Sequence, residues 1–65
     1  MNNKNFYSKA NIRMTLGKER AGQAYYNAAY EIDPDWAIMI RCTANDPYYD
    51  DSKVATFIEL WENDH

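Results

Sequence analysis

At 65 residues and a net charge of −3, the chain has room for one small domain, and a chain this short buries only about 60% of its unfolded surface, so its core alone gives marginal stability. One cysteine, Cys42, excludes an internal disulfide, and without a cluster of cysteine and histidine ligands no structural metal or other cofactor is expected. Six tyrosines, two tryptophans and two phenylalanines exclude a disordered composition.

No apolar run approaches the ~20 residues that cross a bilayer, so no membrane association is expected. The opening MNNKNFYSKAN lacks the apolar core of a signal peptide. The expectation is a soluble, cytoplasmic protein. Charge is polarised along the chain. Residues 1–22 carry Lys4, Lys9, Arg13, Lys18 and Arg20 against Glu19, whereas residues 23–65 carry nine acids against Arg41 and Lys53, a basic start followed by an acidic remainder.

Residues 4–14 place Phe6, Ala10 and Met14 four apart, which predicts a helix; Ile12, Met14 and Leu16 also alternate with polar residues, as a short strand would. Gly17 marks a break. Residues 18–32 are alanine-rich, with Ala21, Ala24, Tyr25, Ala28 and Ile32 at helical spacing and Tyr26 and Tyr30 on another flank. Asp33, Pro34 and Asp35 then form a helix start: a cap, a proline at the first helical position and a carboxylate at the positive helix end. That helix is predicted over 34–44, with Trp36, Met39, Ile40 and Thr43 on one side and Ile38 and Cys42 near it. The apolar run Ile38-Met39-Ile40 fits a strand as well.

DPYYDD, residues 46–51, reads as a loop before a cap at Asp50, Asp51 or Ser52. The last helix, 52–62, carries Val54, Phe57, Ile58 and Trp61 on one stripe, and residues 63–65 form a polar tail. The predicted fold is all-α, a compact bundle of three to four short helices. The alternative is α+β, with short strands at 10–16 and 37–43.

Within this pattern the stretch AYYNAAYEIDPDW resembles the second helix of a tetratricopeptide repeat running into the next repeat, where small residues and a tyrosine pack the helix pair and an acidic-Pro step turns the chain. The resemblance covers roughly residues 21–40 and implies a helix, a tight turn and a helix. The upstream helix lacks that family's tryptophan, leucine-glycine and tyrosine spacing, and nothing downstream repeats at its period. The family's peptide binding is therefore not carried over, since one partial unit has no concave groove.

Candidate sites are few. His65 is the only histidine and reads as part of the solvated tail. Cys42 reads as a small buried apolar residue, since a nucleophile needs a base beside it. The carboxylates of DPYYDDS lack the glycine and closing glutamate of a calcium loop, so no metal site is expected. Tyr48, Tyr49, Asp50 and Asp51 are instead the expected partner-binding surface, because adjacent tyrosines cannot both point into a core and tyrosine binds at low entropic cost. Lys9, Arg13 and Arg20 are candidate phosphate contacts, and Tyr26 and Tyr30 candidate self-association residues of a homodimer.

The expected function is stoichiometric binding to a basic protein partner, in the manner of small acidic phage or mobile-element products such as inhibitors, DNA mimics and immunity proteins. The alternative is a small nucleic-acid-binding regulator that uses the basic N-terminal segment. No constellation of residues supports an enzyme.

Overall fold

Asp33 and Pro34 set the plan of the chain. In the computed structural model, which describes residues 3–65, the Asp33 carboxylate accepts the Trp36 backbone N–H at 3.2 Å and Pro34 opens the helix. One helix therefore passes into the next across a single capping residue. The helices are α1 (Lys4–Thr15), α2 (Ala21–Ile32), α3 (Pro34–Ile40) and α4 (Val54–Asp64), with a 3-10 turn at Asp51–Lys53 leading into α4. The protein is an all-α small bundle. Among the described residues there is no strand, so the α+β alternative fails: residues 10–15 continue α1 and residues 37–40 belong to α3.

α1 runs to Thr15 rather than 14 and α4 spans Val54–Asp64 rather than 52–62, and two boundaries shift further, each for a local reason. α2 starts at Ala21 rather than 18 because Lys18 adopts a left-handed φ of 56° and Arg20 is extended, so residues 16–20 reverse the chain. Gly17, beside it, is needed for space: a Cβ there would lie 2.8 Å from the Arg13 carbonyl oxygen. α3 stops at Ile40 rather than 44 because Arg41 turns extended and Cys42 is left-handed, with φ 66°. Cys42 is thus an exposed turn residue and not the buried helical one expected from its neighbours.

The core alternates small and large. Ala10, Ala28, Ala29 and Ala37 let backbones approach, and Phe6, Tyr26, Trp36, Phe57 and Trp61 fill the remaining space. Each large ring so buried contributes on the order of 2–3 kcal/mol. Phe6 stacks on Trp61 with centroids 4.5 Å apart, and Trp36 meets Trp61 edge-on at 5.1 Å. α4 buries Phe57 and Trp61, with Val54 and Ile58 half-buried, as its stripe predicts.

α2 is rotated from its expected register, burying Gly22, Ala24, Tyr26, Ala28 and Ala29 while Ile32 faces outward. On α3 only Trp36 and Ala37 are buried, leaving Ile38 and Met39 58% and 63% exposed. Polar ties close the bundle at the end of α4. Trp36 Nε1–H donates to Asp64 at 2.7 Å, Trp61 Nε1–H donates to Asn3 Oδ1 at 3.1 Å, and the Tyr7 hydroxyl donates to Glu62. His65 does not form a solvated tail. Its side chain is only 8% exposed and reaches Asp33 at 2.9 Å, because its ring stacks on Trp61 at 3.7 Å.

Candidate functional site

The loop from the end of α3 to the 3-10 turn is built around one carboxylate. Asp46 Oδ2 accepts the Cys42 backbone N–H at 2.8 Å, and Oδ1 accepts that of Tyr48 at 2.9 Å. Arg41 Nε lies 3.3 Å from the same carboxylate but out of line for a hydrogen bond, so that contact is electrostatic. The Arg41 guanidinium sits over the Tyr48 ring at 4.3 Å, with Tyr26 at 5.2 Å and Tyr49 at 5.6 Å, in the geometry of cation–π attraction. Arg20 Nη2 donates to the Tyr48 carbonyl at 2.7 Å. The loop is thus pinned from both sides by basic residues of the chain itself.

Asp51 closes the loop against α2. Arg20 at the N-cap position supplies no acceptor, and Asp51 Oδ1 takes its place, accepting the Gly22 N–H at 2.9 Å. A residue 29 positions downstream therefore caps this helix. The approach is close because Gly22 has no side chain: a Cβ there would fall 1.9 Å from the Pro47 carbonyl oxygen. Asp50 Oδ1 accepts both the Ser52 hydroxyl at 2.6 Å and the Ser52 N–H at 3.0 Å. Those two bonds hold its carboxyl below the usual range, the hydroxyl's first.

The structure brings Tyr48, Tyr49, Asp50 and Asp51 together on this one loop, with different freedom. Tyr48 is half-buried, edge-on to Tyr26 at 5.7 Å, and one oxygen of each carboxylate is committed to a cap. Tyr49 is 75% exposed and braced edge-on by Tyr48 at 4.8 Å. Sequence reasoning missed Arg41 and Arg20 as the side chains that order the loop. A lone arginine in an acidic half, seven residues before a tyrosine pair, was the available clue.

Lys9, Arg13 and Arg20 do not form one open basic face. Arg13 bridges Glu19 at 2.9 Å and Glu31 at 3.1 Å, Lys9 lies 4.0 Å from Glu31, and Arg20 is held at the Tyr48 carbonyl. Tyr26 and Tyr30 also part company. Tyr30 is exposed, but Tyr26 is in the core with its hydroxyl donating to the Ala37 carbonyl at 3.1 Å, because α3 folds back directly over it. Burial raises the Tyr26 pKa above its ordinary value against the opposing Arg41. Of the two tyrosines, only Tyr30 is open to a second copy of the chain.

A shallow depression of about 460 Å³ is lined by Asn11, Ile12, Thr15 and Leu16 of α1 and its end. Among the described residues, no group of three or more His, Cys, Asp or Glu side chains is placed to hold a metal ion. Nor is any helix long and apolar enough to cross a membrane. Comparison of the chain with protein-family models, with curated proteins and with solved structures finds no match. The helix, tight turn and helix implied by the tetratricopeptide likeness are present in α2 and α3, and the likeness extends no further.

Proposed function

We propose that the protein acts by stoichiometric binding to a basic protein partner, with Tyr49 as the anchor and Asp50 and Asp51 beside it as the acidic rim. The single observation that carries this reading is the state of Tyr49: its ring is 75% exposed yet already held by Tyr48 and Arg41. An aromatic anchor fixed before binding has little rotamer entropy left to lose, which is what favours tyrosine at binding hot spots. One carboxylate oxygen on each of Asp50 and Asp51 is uncommitted to its cap and remains to meet a cation. Small acidic inhibitors and immunity proteins of phage or mobile-element origin work in this manner, and an accessory role of that type is the reading we favour.

The test is affinity capture from host lysate with wild type and Tyr49→Ala as baits. Capture should be salt-sensitive and about 30-fold weaker for the variant, the loss expected of a hot spot worth about 2 kcal/mol, while the thermal midpoint stays at the wild-type value. Equal capture by both baits, or capture indifferent to salt, refutes the reading. A nucleic-acid-binding role would first have to break the Arg13 pairs with Glu19 and Glu31. In a homodimer, the exposed Tyr30, Ile32, Ile38 and Met39 are the large apolar residues of α2 and α3 on offer.

A further inference from the structure

We propose that His65, Trp61 and Asp33 form a proton-dependent clasp that fastens the end of α4 to the junction of α2 and α3. The ring makes two polar contacts: Nδ1 lies 3.0 Å from the Trp61 carbonyl oxygen, and Nε2 lies 2.9 Å from Asp33 Oδ2. Both partners are acceptors only. A neutral imidazole carries one N–H, so in that form one of its two contacts sets lone pair against lone pair. The doubly protonated ring donates to both. Water is poorly placed to make up the missing proton, because the side chain is only 8% exposed. It is enclosed by Trp61, stacked at 3.7 Å, and Trp36, edge-on at 5.5 Å. A cation over the indole face gains further attraction from the ring.

The charged groups on the surrounding elements reinforce this. Asp33, between α2 and α3, faces the ring directly and divides its carboxylate, Oδ1 capping α3 at the Trp36 N–H and Oδ2 meeting His65. Asp64, next along α4, takes the Trp36 Nε1–H, and Asp35 lies in the first turn of α3. On α4 itself Glu62 is turned to Tyr7. The Asp33 carboxyl is held below its ordinary range, first by the His65 contact and then by the Trp36 N–H.

The two halves of the clasp have opposite signs with pH. The lowered Asp33 carboxyl gives stability that is present above the ordinary carboxylate range and is lost as pH falls through its lowered value. The His65 half works the other way: only the doubly protonated ring can donate to both Trp61 and Asp33, so loss of a proton gives up one of the two contacts. The last helix is thus held most firmly under mildly acidic conditions, and alkaline conditions loosen it from Trp36 and the α3 cap.

His65 is the chain's only histidine, so its contribution can be isolated. Urea unfolding of wild type, His65→Gln and Asp33→Asn is followed from about pH 8 to about pH 5.5, together with tryptophan emission of the folded state. The wild-type folding constant should rise about fivefold on acidification relative to His65→Gln, in keeping with one hydrogen bond of ordinary net strength. Emission should fall at the same time, because a protonated imidazole against an indole quenches it. Asp33→Asn, which keeps a capping residue but removes the charge, should respond less than wild type. Equal pH dependence of wild type and His65→Gln overturns the proposal. Should His65→Gln not fold, the emission decides alone: quenching of folded wild type on acidification supports the clasp, and constant emission overturns it.

Discussion

Gly22→Ala is the smallest change that strikes the close approach of α2 to the loop before α4. The added Cβ would lie 1.9 Å from the Pro47 carbonyl oxygen, 2.8 Å from Asp51 Oδ1 and 3.0 Å from the Pro47 carbonyl carbon. Two of these neighbours are backbone, and Pro47 is itself fully buried, so relief requires the whole loop to retreat by about 1.5 Å to reach ordinary contact. Retreat breaks the Asp51 cap on the Gly22 N–H, about 1 kcal/mol, and opens the packing of Pro47 and its neighbours, about 1–3 kcal/mol more. Alanine's better helix propensity returns up to about 1 kcal/mol. With that gain realised in full the net loss is about 1–3 kcal/mol, against a total stability of about 3–10 kcal/mol for a domain of this size. Urea denaturation followed by far-UV circular dichroism measures it, and an unchanged slope with a lower midpoint is the expected form. Asp51→Ala should lose about 1 kcal/mol in the wild-type background and much less in the Gly22→Ala background, because both changes remove the same cap. A Gly22→Ala midpoint at or above that of wild type refutes this account of the loop.

Cys42 holds a φ of 66° without being glycine, so Cys42→Gly should raise stability by about 0.5–1 kcal/mol, relief of left-handed strain exceeding the gain in unfolded-chain entropy; a lower thermal midpoint would count against it. The Tyr7 hydroxyl is pushed up to about 12, first by its hydrogen bond to Glu62 and then by burial. A raised value gives stability that is present below about pH 10 and is lost as pH climbs toward the folded value. Ultraviolet titration of the phenols should therefore show one late-ionising tyrosine that moves earlier in Glu62→Gln, and identical curves for the two proteins would exclude the bond.

The parts of the fold visible in the sequence are those written in neighbouring residues. Asp33-Pro34-Asp35 places the start of α3 because cap, proline and carboxylate act within one turn, and Phe57 and Trp61 mark the buried stripe of α4 because four residues separate them. What was not visible depends on distant partners. The alanine-rich stripe of α2 fits two registers equally well, and only the burial of Gly22 under Pro47 and of Tyr26 under α3 chooses between them. The end of α3 is set by Asp46 and by the tyrosine rings that draw Arg41 out of the helix, not by any helix-breaking residue at 41. In the candidate site, the exposure of one tyrosine of the pair follows from their adjacency. The use of Asp51 as a cap for α2 does not, since its partner lies 29 residues earlier.

The polar ties at the end of α4 also bear on how the chain reaches this state. Trp61 and Asn3 are 58 positions apart, Tyr7 and Glu62 are 55 apart, and His65 and Asp33 are 32 apart. A helical bundle ordinarily forms from contacts close in sequence and folds quickly. Here each tie closes a long loop, an entropy cost met before the contact gives anything back. α1 packs most extensively on α2, its neighbour in sequence, so α1, α2 and α3 should dock through local contacts and α4, whose ties are the distant ones, should join last. The docking of α4 is thus the step that sets the pace of an otherwise locally connected bundle.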